Sequence, residues 1–163
     1  AGATGARALS SGPRMLWTTA TGVRDEVERT QVWATTVRAG LARGRTVGLG
    51  EGRRTTEQLL IYTDAGSPKG AELMAQAMAS LLCWSPRLHW QLRLQLRFSV
   101  SRNDDEATAA WERVRQSPSA SDYLTSRAPG ERLPDAPELA LDTPQLAVLC
   151  GEVLSMDWLE LSR

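Results

Sequence analysis

The chain has 163 residues but only one histidine, one lysine, one phenylalanine and two cysteines. Each scarcity removes a class of chemistry. With His89 alone, multi-histidine metal sites are excluded. A Ser-His-Asp triad has a single base to draw on and no GxSxG elbow to present its nucleophile. Cys83 and Cys150 stand far apart, outside any CxxC or Cys/His cluster, so neither a disulfide framework nor a zinc site is expected, and both read as reduced core thiols. Lys69 is the only lysine among 19 basic residues, and no GxxxxGK[ST] phosphate loop exists. An arginine bias that runs through the whole chain reads first as codon usage and only second as bidentate anion chemistry.

Excess charge of either sign is also missing. Nineteen basic side chains balance nineteen acidic ones, so no global field draws the protein to nucleic acid or an anionic membrane, and any such binding must be local. No apolar run approaches the roughly 20 residues that cross a bilayer, and the N-terminal stretch lacks the apolar core of a secretory signal. The expectation is a soluble, intracellular protein without membrane insertion. At 42% hydrophobic residues, the chain has enough apolar material for one core.

What is present most clearly is a strand. From His89 to Arg102, Trp90, Leu92, Leu94, Leu96, Phe98 and Val100 alternate with Gln91, Arg93, Gln95, Arg97, Ser99 and Ser101, the two-residue period of one buried and one wet face. Before it, Ser67-Pro68 opens a helix. Leu73, Met74, Ala77, Met78, Leu81 and Leu82 then supply an apolar face up to Ser85-Pro86, which predicts a helix over 68–84 lying on the strand. After it, Asn103, Asp104 and Asp105 cap a second helix with Ala107, Ala110, Trp111 and Val114 on its apolar stripe. The segment 25–44 gives mixed signals. Acids in a first turn favour a helix, whereas the β-branched run Val32 to Val37 favours a strand. Short strands near 46–49 and 57–63, joined by a Gly- and Arg-rich turn, form a candidate hairpin.

Two stretches lack an apolar period. Residues 1–24 are rich in Ala, Gly, Ser and Thr, carry Arg7, Arg14 and Arg24 and hold no acid, a composition like that of a mitochondrial transit peptide. This adds the mitochondrial matrix as a candidate compartment. Residues 117–142 contain Pro118, Pro129, Pro134 and Pro137 and read as a linker or arm. Beyond them, Leu146, Leu149, Cys150, Val153, Leu154, Trp158 and Leu161 sit near helical spacing, so 143–163 reads as a C-terminal amphipathic helix on a 25–116 core, with a strand at 146–149 as the competing reading. The fold class expected is α+β: a small antiparallel or mixed sheet of three to five strands, helices packed on one face, and irregular N-terminal and Pro-rich arms.

The run Ile61-Tyr62-Thr63-Asp64-Ala65-Gly66-Ser67 resembles the strand that carries a metal-binding aspartate in ribonuclease H domains. The resemblance covers seven residues and implies several carboxylates converging on divalent metal. Glu72 follows Asp64 by only eight residues, which leaves no room for the strands between the corresponding positions of that family. Gly48, Gly50 and Gly52 form a GxGxG run, but Arg53, Arg54 and a strand follow where a dinucleotide site needs a helix, so a hairpin turn is expected. Trp17 lies outside any periodic pattern and is the best single candidate to insert into a partner.

These readings predict no catalytic residue, cofactor or metal. They point to a structural or assembly subunit of a larger complex, such as an organellar ribosome, a respiratory or ATP-synthase complex, or a virus or phage particle, with other protein subunits as partners. Its partner-binding candidates are Trp17, Arg14, Arg53, Arg54, Arg93 and Arg97. A nucleic-acid module using the arginine face of the sheet is the first alternative, and a metal-dependent nuclease at Asp64 the second.

Overall fold

The computed structural model describes residues 31–53, 55–86, 89–125 and 141–160, and of Gln31, Trp90 and Glu160 the backbone alone. The strands are β1 Gln31–Arg38, β2 Leu41–Thr46, β3 Glu51–Arg53, β4 Gln58–Asp64, β5 Met78–Ser85, β6 Trp90–Ser101 and β7 Leu146–Glu160. Two helices, α1 Pro68–Ala75 and α2 Asp105–Val114, and a 3-10 turn at Pro118–Tyr123 complete the described elements. The strands form one sheet in the order β2-β1-β5-β6-β7-β4-β3, with every neighbouring pair antiparallel.

This sheet is curled. Val32 and Ala34 of β1 share a buried cluster with Leu59 and Ile61 of β4, although β5, β6 and β7 lie between them in the sheet. The chain crosses the remaining seam directly: Val47 N donates to Val32 O (3.0 Å) and Gly50 N to Leu60 O (2.8 Å), so residues 47–50 are tied to β1 at one end and β4 at the other. Inside lie Leu81, Leu94, Leu96, Phe98 and Leu149, with Leu73 of α1 joining them. Outside, Leu60, Leu146 and Val148 are covered by Ala107 and Ala110 of α2. Strand β4 is therefore buried on both faces, which explains its unbroken apolar run Leu59-Leu60-Ile61.

Local sequence accounts for the elements. The β1–β2 hairpin turns on Ala39 (φ 51°) and Gly40 (φ 77°), with Arg38 paired to Leu41, the two-residue loop whose twist matches the strands. Asp104 caps α2 by accepting from Ala107 N (2.9 Å), with Asp105 and Glu106 in the first turn. Strand β6 buries Leu94, Leu96 and Phe98 and exposes Arg93, Gln95 and Arg97, as its alternation predicts. Opposite Phe98, Gly151 of β7 leaves room for the ring, since a Cβ there would sit 2.7 Å from Phe98 Cε1.

Several expectations are corrected. The sheet is wholly antiparallel with seven described strands rather than three to five, and the helices do not share a face: α1 packs against β1 and β6, α2 on the outside of β4 and β7. Hence the α+β description with helices on one face gives way to a curled sheet. The helix expected over 68–84 ends at Ala75, and Gln76 turns extended. From Met78 onward, Ala79, Leu81, Cys83 and Ser85 are buried alternately with more exposed Met78, Ser80, Leu82 and Trp84. In a run that is apolar at nearly every position, both periods fit, and tertiary pairing with β1 and β6 decides. The C-terminal amphipathic helix is instead the 15-residue strand β7. The β-branched run Val32 to Val37 wins over the helix signal and forms β1, and the hairpin strand expected near 46–49 forms at Glu51–Arg53. The N-terminal arm, the helix start at 25–30 and residues 126–140 of the Pro-rich stretch lie outside the described residues.

Candidate functional site

Positive charge gathers at the start of α1. The helix opens with Ser67 and Pro68, whose ring suits the first helical position, and Ser67 makes no side-chain cap of its own. Upstream, Asp64 organises the turn: its Oδ1 accepts from Gly66 N (2.7 Å) and its carbonyl from Ser67 N (3.0 Å). Lys69 occupies the first turn of the helix. Burial lowers its pKa, neighbouring Arg45 lowers it further, and Asp64 only partly compensates. Arg102, just past β6, lies over the same turn, where its Nη2 is 2.6 Å from the position a Cβ on Gly70 would take.

The acid facing this group is committed elsewhere. Glu72, buried on α1, accepts from Thr36 Oγ1 (2.6 Å) and from Arg45 Nη2 (2.5 Å), and Arg45 also donates to Thr36 (2.9 Å). Burial alone would raise the Glu72 pKa, but the bonds from Thr36 and Arg45, with Arg43 nearby, hold it below the usual carboxylate range. One buried acceptor and one buried hydroxyl are left without partners: Glu72 Oε1 and Thr63 Oγ1, the latter on a residue 3% exposed immediately before Asp64. Lys69 and Arg102 have no ion-pair partner within 4 Å among the described residues. The arrangement has the chemistry of an anion site: a helix start and two cations that have no ion-pair partner among the described residues.

From Arg45 the chain leads within five residues to a second feature, a half-open cleft of about 1010 Å³. One wall is the glycine-rich ribbon Gly48–Gly52, and the rest is shared between barrel-mouth side chains such as Leu92 and Met156 and the outer residues Tyr62, Arg113 and Tyr123. Tyr62 lies over Gly50, where a Cβ would fall 2.7 Å from its ring, while nothing lies within 4 Å of the corresponding position on Gly48. Burial raises the pKa of both tyrosines, with Arg113 opposing the shift at Tyr62 and Asp122 adding to it at Tyr123. Cys83 also lines the cleft, its thiol pushed up to about 11 by burial, so it stays protonated and is no nucleophile at neutral pH.

Behind the ribbon is a neutralised charge network. Arg53 grips both oxygens of Glu106 (2.8 and 2.7 Å) and approaches Glu51 (3.4 Å), and Arg113 reaches Glu51 Oε2 (3.2 Å) and Glu106 Oε1 (4.0 Å). The Arg113–Glu51 contact is an ion pair by distance but lacks hydrogen-bond geometry, since Oε2 receives no donor. The hydrogen bonds to Glu106 hold Arg53 protonated well above its ordinary range, and the same bonds hold Glu106 below its own.

The residues singled out from sequence are not brought together. Arg53 sits in this network on β3, and two strands, β7 and β4, separate it from β6. Arg93 and Arg97 lie on the outer face of β6, paired across to Asp157 and Glu152 of β7. Trp17, Arg14 and Arg54 lie outside the described residues. Asp64 and Glu72 do not converge, each being held in its own bonds, and no group of three metal-ligating side chains occurs among the described residues. Gly48 and Gly50 form the ribbon between β2 and β3 rather than a tight turn. Sequence reading passed over Arg45, Lys69 and Arg102. The one available signal was that the only lysine stands at a Ser-Pro helix opening.

No family model and no curated protein matches the chain. Solved structures do. A pyridoxamine 5′-phosphate oxidase-related, FMN-binding protein from Nostoc punctiforme superposes with a TM-score of 0.73 at 23% identity, covering 93% of this chain and 86% of that one. PhzG from Burkholderia lata, solved with tetrahydrophenazine-1-carboxylic acid, gives 0.68 at 16% identity, covering 93% and 81%. An F420 reductase gives 0.51 at 12% identity, covering 77% and 87%. The fold is thus the split barrel of FMN-binding, pyridoxamine-phosphate-oxidase-like proteins. The expectation of a non-catalytic assembly subunit of an organelle or virion is overturned by these neighbours, which include a protein described as FMN-binding and oxidase-related and another described as a reductase.

Proposed function

We propose that this chain binds a flavin phosphate, with FMN as the simplest form, and serves as a flavin-dependent oxidoreductase for a small ring compound held in the cleft. The observation that carries the reading is the cation group at the start of α1, on a fold whose solved neighbours include an FMN-binding protein. The residues fit such a group: among the described residues, neither Lys69 nor Arg102 has an ion-pair partner within 4 Å. Lys69, Arg102 and the first turn of α1 would hold the phosphate, with Arg45 reinforcing the field from its bond to Glu72. Residues 46–50 then lead away from Arg45. Five residues span at most about 17 Å, which suits an elongated ligand with its anion at the cations and its ring at the ribbon.

A bound flavin supplies reversible two-electron transfer. The chain's own residues do the rest. The ribbon offers peptide groups unscreened by side chains at Gly48, the barrel-mouth residues keep one wall apolar, and the two tyrosines remain protonated at neutral pH as hydrogen-bonding phenols.

Fluorescence titration of the full chain with FMN and with riboflavin tests this. FMN should bind at least about tenfold more tightly, since only it carries the phosphate, and Lys69→Ala should remove most of that difference. Equal affinity for the two, or no binding of FMN, would refute it.

A further inference from the structure

Strand β2 runs directly into the glycine ribbon, and its cations do not stop at Arg45. Side chains two residues apart on a strand share a face and stand about 7 Å apart. Arg43 is therefore the neighbour of Arg45 on that face, and the register sets it opposite Thr36, the residue to which Arg45 donates. Arg38 ends the row at the hairpin tip: it lies two residues beyond Thr36 on the same face of β1 and pairs across with Leu41. Among the described residues neither Arg38 nor Arg43 has an ion-pair partner within 4 Å, and the one acid bonded to the hairpin's arginines is Glu72, on Arg45. Both free arginines are exposed, and Leu41 on the same face is 68% exposed, a bare apolar side chain beside the guanidinium groups. A row of like charges repels itself unless an anion lies along it.

We infer that the hairpin binds the second half of a dinucleotide, so that the chain prefers FAD to FMN. The inference rests on the flavin reading for the place of the first phosphate. With the ring at the ribbon and that phosphate at Arg45, Lys69 and Arg102, anything esterified to the phosphate leaves on the side away from the ring, along β2 toward the hairpin tip. The second phosphate shares a bridging oxygen with the first, so it falls between Arg45 and Arg43, where the Arg43 guanidinium can take two of its oxygens. The adenine then meets Arg38 and Leu41. A planar guanidinium stacks on the base, and the exposed leucine gives it an apolar surface to cover.

Titration calorimetry of the full chain with FAD, FMN and riboflavin at neutral pH decides it. A phosphate monoester carries about −1.5 to −2 at this pH, close to the total on the two singly charged phosphates of FAD, so a difference between FMN and FAD reports where the charge lies and not how much there is. FAD should bind at least about fivefold more tightly than FMN. Arg43→Ala should bring that ratio to within about twofold, Arg43→Lys should restore part of it by keeping the charge without the fork, and Arg38→Ala should lower it by about threefold. FAD binding no tighter than FMN overturns the inference, as does a ratio that Arg43→Ala leaves unmoved; with FMN still tighter than riboflavin, either result leaves the flavin reading standing. Equal binding of FMN and riboflavin, or no flavin binding at all, refutes the flavin reading and this inference with it.

Discussion

Replacing Glu72 by glutamine tests the buried contact that fastens α1 to the barrel. The Glu72 carboxylate is 3% exposed and takes bonds from Thr36 on β1 and Arg45 on β2. Glutamine keeps the shape but removes the charge, so Arg45 loses its counter-ion and Thr36 a charged acceptor. Removing one partner of a wholly buried pair costs about 3–5 kcal/mol. Arg45 remains 24% exposed and recovers some hydration, so the expected loss is about 2–3 kcal/mol. For a chain of this length that is a melting shift of roughly 2–4 °C per kcal/mol.

The pH dependence makes the test specific. The folded pKa of Glu72 lies below its ordinary value, so its stabilisation is complete above the unfolded pKa of about 4.3 and is lost as pH falls through the folded value. Urea denaturation of wild type and Glu72→Gln should therefore show a constant gap from pH 8 down to about 5, closing as the medium becomes more acidic. A gap that persists unchanged into acid, or a variant as stable as wild type at pH 7, would refute the reasoning.

Leu94→Ala, inside the barrel, should cost about 2–5 kcal/mol in denaturant unfolding. Arg93→Ala, with its half-exposed pair to Asp157, should stay within about 0.5–1 kcal/mol. Gly151→Ala should lose about 1–3 kcal/mol by thermal melting, because the added methyl meets Phe98 and Leu96 inside 3 Å. Ala39→Asn at the positive-φ turn position should gain about 0.5–1 kcal/mol, and a loss there would mean the turn is not of the two-residue primed kind.

How much of this could be read from sequence depended on whether one period or two fitted the residues. Strand β6 was legible because its polar and apolar residues alternate strictly, and α2 because Asp104 and its acidic first turn announce a helix start. Strand β7 was not, and the cause is a bulge: opposite Gln95 and Leu96 the register jumps from Ser155 to Val153, leaving Leu154 extra. The inward side chains thus fall at Leu149, Val153 and Met156, four apart where Gly151 takes the inward position between them and three apart across the bulge, which is a helix's spacing on a strand. The cation group was illegible for another reason. Arg45, Lys69 and Arg102 come from three different segments, and the packing of α1 against β1 and β6 brings them together. Sequence could mark Lys69 as unusual but could not supply its neighbours.

The position of β7 in the sheet has a consequence for how the molecule comes into being. Strand order places it between β6 and β4, in the interior of the sheet, although it is the last of the described strands to leave the ribosome. Until residues 146–160 are made, β4 and β6 have no partner on that side, and the nascent chain carries two bare strand edges and an open core. Its pairing with β4 joins positions 82 to 94 residues apart, from Asp64 with Leu146 to Gln58 with Glu152, the kind of distant closure that folds slowly and only once synthesis has passed it. A ribosome stalled before Leu146 should therefore hold a chain that is sensitive to protease and prone to aggregate, and release of the final strand should be the step that confers resistance.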